Sequence, residues 1–257
     1  MRKRASAEVK ETRQPPRPVQ SGVLVTGASG GIGRAISLAF AHVGWFVGVH
    51  YHQGKKSAEE TLRQVCAVAG TGSLHQADLR VSEAVQQMVE AFVRTAPDVT
   101  ALVCNAGVGG GGLVLRQQDD DWSNIIATNL TGTFHCLKAI GPILLGRGGG
   151  SIIVVGSHAA YFGSRGQSAY AASKAGLIGL VKTVAREWGA GNVRVNLLLP
   201  GWHRTALSEG AYPDDQEWRD HALRHPPSLN EVARTAVHLA QTQDVSGQVW
   251  NCDSRAL

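Results

Sequence analysis

The chain has 257 residues, of which 43% are apolar and 18% charged, with a formal charge of +5. That length and apolar content suffice to bury a sizeable core, and no composition break divides the chain into two domains. It carries neither an apolar leader nor eighteen uninterrupted apolar residues, so a cytoplasmic protein with no membrane partner is expected.

Residues 1–20 are rich in Arg, Lys, Glu, Gln and Pro and almost free of large apolar side chains, which predicts a disordered, basic N-terminal tail. Much of the net charge lies there, diluted by Glu8 and Glu11, and gives no reason to expect a nucleic-acid partner. Residues 21–257 are expected to form one domain. Its first strand, 23–26, runs into Thr26-Gly27-Ala28-Ser29-Gly30-Gly31-Ile32-Gly33, and apolar residues then recur at helical spacing over 32–43. The alternation continues with a strand at 45–50, a helix at 57–68, a strand at 73–76, a helix at 82–94 and a strand at 101–104. One long helix is expected over 120–144, followed by an apolar strand at 152–155, a helix at 168–188 and a buried strand at 193–199. Residues 202–228 are polar and loop-like, as a substrate loop beyond a strand end would be. A helix at 229–239, opened by Ser228 or Asn230, and a strand at 247–250 complete the chain. Strands alternating with helices predict an α/β, Rossmann-type three-layer αβα sandwich on a mostly parallel seven-stranded sheet.

The glycine run between strand and helix has the form that receives a pyrophosphate. Gly27 permits the tight turn, Gly31 lets the backbone approach the anion, Gly33 lets helix and strand pack closely, and the helix start offers free N–H donors. Tyr170 and Lys174, four apart in Ser168-Ala-Tyr-Ala-Ala-Ser-Lys-Ala, share one helix face, and the ammonium is expected to draw the phenol pKa down from about 10. Cys66, Cys104, Cys136 and Cys252 are widely spaced and read as small buried hydrophobes. With no HExxH and no Cys/His cluster at ligand spacing, no metal is expected.

These motifs in this order resemble the short-chain dehydrogenase/reductase family, over residues 21–253. Carrying the resemblance are TGASGGIG, Asp78 in Gln-Ala-Asp-Leu, Cys104-Asn105-Ala106-Gly107, Asn129, Ser157, the Tyr170/Lys174 pair and Pro200-Gly201. The resemblance implies a catalytic set of Asn129, Ser157, Tyr170 and Lys174. Tyr170 would exchange a proton with the substrate oxygen, Lys174 would tune it and bind the nicotinamide ribose, Ser157 would polarise the carbonyl, and Asn129 would hold a water. It implies cofactor contacts at Gly27, Ser29, Gly31, Ile32, Gly33, Tyr51, His52, Asp78, Leu79, Asn105, Ala106, Gly107, Tyr170, Lys174, Pro200, Gly201 and Thr205.

Selectivity for NAD comes from an acidic residue at the end of the second strand. Val49-His50-Tyr51-His52 has none, while His52, Lys55 and Lys56 are near, so NADP(H) is expected over NAD(H). The pattern is most similar to the 3-oxoacyl-(acyl-carrier-protein) reductase branch. That similarity implies reduction of a ketone, as a small molecule or a carrier-bound thioester, to a secondary alcohol, with Arg165, Arg204, Arg219 and Arg224 available to an acidic carrier. It also implies a homotetramer or homodimer formed through the 120–144 and 168–188 helices. The alternatives are action on a sugar, polyol or steroid with NAD(H), a dehydratase or epimerase on the same fold, and a non-catalytic dinucleotide-binding regulator.

Overall fold

The computed structural model describes residues 20–68, 70–205, 208 and 221–255. The expected tail, apart from Gln20, and much of the expected substrate loop, including Arg219, lie outside the described residues. In chain order the elements are β1 (Ser21–Val25), α1 (Gly31–His42), β2 (Phe46–Tyr51), α2 (Lys55–Ala67), β3 (Thr71–Gln76), α3 (Ser82–Thr95) and β4 (Asp98–Cys104). After a short 3₁₀ turn, Val114–Arg116, come α4 (Asp119–Ile126), a π-helical turn (Ala127–Thr131), α5 (Gly132–Gly146), β5 (Gly150–Val155) and the one-turn α6 (Ala159–Phe162). α7 (Ser168–Trp188), β6 (Val193–Leu199), α8 (Leu229–Gln241) and β7 (Val249–Asn251) follow.

All seven strands pair in parallel, in the order β3-β2-β1-β4-β5-β6-β7. Helices cover both faces because the strands are apolar on both. Leu24, Leu102, Ile152 and Leu197 point to the layer of α3, α5 and α7, while their neighbours Val25, Val103, Ile153 and Leu198 point to that of α1, α2 and α8. Chain order reverses between β1 and β4, and such a switch point opens a crevice at the carboxyl ends of the strands. The glycine loop and the loops after β4 and β5 all lie at that end.

The expected long helix is broken. A π turn interrupts it at 127–131, and Asn129, fully buried there, spends its side chain on other elements. Its Oδ1 accepts the Val108 N–H (2.8 Å), and its Nδ2 donates to Val108 O (3.0 Å) and Ser173 Oγ (3.0 Å). π turns of this kind occur often at functional sites. α6 and the Val114–Arg116 turn are too short for periodicity to show them.

Candidate active site

The glycine loop is shaped by backbone crowding. A Cβ on Gly33 would stand 2.2 Å from Gly27 O, and one on Gly27, whose φ is +62°, would stand 2.7 Å from Ala106 Cα. Thr26 and Asn105 lock the loop to the end of β4. Thr26 Oγ1 accepts from Asn105 N (2.9 Å) and Ala106 N (3.0 Å), and Asn105 Nδ2 donates to the carbonyls of Thr26 and Gly27, both at 3.0 Å. In front of Gly30 there is open space, with no atom within 4 Å of an added Cβ. No side chain caps the start of α1, so its first N–H groups are available to an anion. Across the opening lies Thr205, whose Cγ2 would be 3.0 Å from a Cβ on Gly31. A cradle with backbone donors and no bulk fits a pyrophosphate, and Gly27, Gly31, Gly33, Asn105, Ala106 and Thr205 converge on it.

Arg34, which the motif reading passed over, holds the loop from behind. Its Nη2 donates to Ser29 O (2.9 Å) and Ser57 O (3.2 Å) and its Nε to Thr61 Oγ1 (2.9 Å), joining loop to α2. Ser29 faces Gly54, 3.4 Å from where a Cβ would be.

Two expected cofactor contacts point elsewhere. Tyr51 is buried with Val47 and Val49, because residues two apart on a strand share a face and this face packs under α1 and α2. Leu79 is buried against the layer of α3, α5 and α7, and its carbonyl accepts from His135 Nδ1 (2.9 Å). His50 is buried too. His52 is exposed and stands 3.7 Å from the Asp78 carboxylate. Asp78 accepts from Arg80 N (3.0 Å), from its Nε (2.9 and 3.0 Å) and from its Nη2 (2.6 Å), while Arg80 Nη1 donates to Asn124 Oδ1 (2.8 Å). Those Arg80 hydrogen bonds bring the Asp78 carboxyl down to about 2.

Tyr170 and Lys174 rise from α7 to the end of β5. Lys174 is buried, its Nζ donating to Val155 O (2.8 Å) and lying 5.7 Å from the centre of the Tyr170 ring. The Tyr170 phenol shares a hydrogen bond with Ser157. Gly107 lies between Asn129 and Lys174, since its added Cβ would be 3.2 Å from Asn129 Oδ1 and 3.7 Å from Lys174 Nζ. Ser157, Tyr170, Lys174 and Asn129 thus surround one point at the strand ends.

The electrostatics differ from the expectation drawn from their spacing. Burial pushes the Tyr170 phenol up, with the Ser157 hydrogen bond opposing, and burial brings Lys174 itself down to about 8, with Cys104 opposing. Desolvation acts on both partners of an i,i+4 pair, and a sequence does not display it.

A buried ionic cluster closes the far side. His221 Nδ1 lies 2.9 Å from Asp253 Oδ1, both side chains being almost wholly enclosed, and Arg255 donates to the same carboxylate. Burial by itself would raise the Asp253 carboxyl, but the Arg255 hydrogen bonds outweigh it and hold the group below its ordinary value. The Asp253 Oδ2 would be 2.9 Å from a Cβ on Gly201, so the cluster presses on the Pro200–Thr205 segment. A turn at 221–224 is further tied to the C-terminal residues through Ala222 N to Ser254 O (3.2 Å).

A family model described as short chain dehydrogenase matches residues 21–216. The chain belongs to the short-chain dehydrogenase family, oxidoreductases that act on CH–OH groups with a nicotinamide dinucleotide. It is 39% identical over 186 residues to the 3-oxoacyl-(acyl-carrier-protein) reductase of Synechocystis sp., covering 72% of this chain and 75% of that one. It is 37% identical over 232 residues to the enzyme of the same description from Staphylococcus aureus strain Mu50, covering 88% and 93%. A crystal structure from Sinorhizobium meliloti 1021, provisionally described as a short-chain alcohol dehydrogenase, superposes with a TM-score of 0.86 at 30% identity, covering 91% of this chain and 95% of that one. Among the described residues, no helix is long and apolar enough to cross a membrane.

Proposed function

We propose that this chain is an NADP(H)-dependent reductase that converts a 3-oxoacyl thioester to the 3-hydroxyacyl thioester. The observation that carries the reading is the Tyr170 phenol, hydrogen-bonded to Ser157 and backed by buried Lys174, on the same strand ends as the glycine cradle. When bound, the dinucleotide supplies the hydride. Ser157 orients and polarises the reacting carbonyl, and Tyr170 delivers its proton to the oxygen as the C–H bond forms. A phenol pushed up by burial is protonated at neutral pH, the state that a proton donor for reduction needs. The Lys174 ammonium, fixed below the ring, offsets the charge left on the phenolate, which regains its proton from solvent. Asn129 fixes Val108 and Ser173, so the wall of the site beside Gly107 keeps its shape.

Preference for the 2′-phosphate rests on the missing carboxylate in residues 49–52 and on the exposed His52, Lys55 and Lys56 nearby. An acyl chain is supported by an exposed apolar rim. The glycine-rich loop after β4 meets the turn before α7, where a Cβ on Gly111 would be 2.5 Å from Gly166 O, and it leads to the exposed Leu113, Val114 and Leu115; Phe162 is exposed on α6. Exposed Arg165 and Arg224 suit an acidic carrier, and the exposed Trp122 of α4 and Phe134 of α5 suit association through the helix pair.

The test is consumption of NADPH and NADH at 340 nm with 3-oxoacyl thioesters, simple ketones, keto-sugars and steroids. Faster NADPH oxidation with the thioester supports the proposal; faster NADH oxidation with a keto-sugar or steroid overturns it. Tyr170→Phe should lower turnover at least about 100-fold and leave dinucleotide affinity within about twofold. Near-normal turnover in that variant would remove Tyr170 from the proton transfer.

A further inference from the structure

Beneath the glycine loop lies an imidazole that none of these roles uses. His50, next to the last residue of β2, is 2% exposed. Its Nδ1 stands 3.0 Å from the backbone nitrogen of Gly27, and its Nε2 stands 3.1 Å from the carbonyl oxygen of Ala77. A backbone N–H only donates and a carbonyl only accepts, so Nδ1 is bare and Nε2 carries the ring hydrogen. The adjoining backbone runs the same way, with Ala28 N donating to His50 O (2.9 Å) and Ala77 N to Tyr51 O (3.1 Å). Gly27 opens the phosphate loop, and Ala77 immediately precedes Asp78. One rigid ring therefore spans the two walls between which the adenosine half of a dinucleotide would lie.

We propose that His50 is a positioning residue for dinucleotide binding, a strut whose two nitrogens set the separation of the glycine loop from the Asp78 loop. The inference rests on the reading of this cleft as a dinucleotide site. Only the neutral ring can do this, because an imidazolium has two donors and would turn an N–H toward the Gly27 N–H. Burial favours the neutral form and brings the ring down to about 4. The other titratable groups acting on it, His52 beyond β2 and His75 on β3, oppose its protonation as well, while the Ala77 hydrogen bond favours it. Removing the ring nitrogens leaves one buried donor and one buried acceptor unpaired, each able to relax only by moving its loop.

The experiment needs no substrate. NADPH and 2′,5′-ADP are titrated into the full-length wild type, His50→Phe and His50→Asn, well below their unfolding temperatures. Phenylalanine keeps the ring volume without nitrogens and should weaken both ligands about tenfold, since the strut lies under the adenosine half. Asparagine keeps one donor and one acceptor on a shorter arm and should recover part of the loss. If the phenylalanine variant does not fold, the asparagine variant decides alone, and weakening of about threefold or more supports the strut. Folded variants that lose thermal stability but bind both ligands like the wild type would make His50 an ordinary core histidine and overturn this inference alone. A wild type that binds neither ligand would overturn the dinucleotide reading and the strut with it.

Discussion

At Gly30 the backbone is extended, with φ −179°, and an added Cβ meets nothing within 4 Å. A larger side chain therefore enters at no steric cost, in front of the α1 start and near Ser29, beyond which lie Gly54 and the exposed Lys55 and Lys56 of α2. If the adenosine 2′-phosphate lies there, Gly30→Arg should tighten NADPH about tenfold relative to NADH, the size of one charge-assisted hydrogen bond. Parallel titrations with the two dinucleotides check this, and equal changes for both would put the 2′-phosphate elsewhere. Residue types at this scale were legible where the chemistry resides in spacing, as with Gly27, Gly33, Tyr170 and Lys174. They were illegible where direction or burial decides. Tyr51 and His50 are neighbours whose roles are settled by strand parity and by what lies above each face, and the phenol pKa is governed by enclosure more than by the cation four residues away.

Helix α8 shows what an element draws from its first turn. Ser228 accepts the Glu231 N–H at 3.1 Å, and Ser-Leu-Asn-Glu has the capping-box spacing, so the structure selects Ser228 over Asn230 as the start. Ser228→Ala should cost about 1 kcal/mol of stability in urea unfolding. Dinucleotide affinity should not change, because α8 lies on the outer layer. A loss of affinity would instead mean that the Pro227 contact with Gly201 transmits movement of the helix start into the site. Most elements were readable in this way, from caps and apolar period. The exception was the 120–144 segment, which reads as one long helix and where nothing local foretells the π turn. That turn is set by the partners of Asn129, at Val108 and Ser173, twenty-one and forty-four positions away.

At the scale of the whole molecule, burial lowers the pKa of His158 and His203 among the described residues, and it lowers that of two enclosed imidazoles furthest, which makes them the main source of acid sensitivity. His50 and His75 are each brought from the ordinary 6.5 to about 4 by burial. His75 is held by Ser73 Oγ (2.6 Å) and the edge of Phe92. A histidine with a lowered folded pKa stays neutral in the fold while the unfolded chain takes up the proton, so stability is complete above about 6.5 and is lost as pH falls toward 4. By pH 5 the loss is about 2 kcal/mol for each ring, with a slope approaching one proton per histidine. The carboxylates act in a different window. Asp78, lowered from 3.8 to about 2, contributes stability that is present above 3.8 and lost below it, after the histidine effect is nearly spent. Urea unfolding of the wild type from pH 7 to 4.5 should therefore show a steep decline that His75→Gln flattens by about one proton. A wild-type profile flat down to pH 5 would mean that both rings titrate normally, and His50 would then have to give up the Gly27 N–H bond as it takes up its proton.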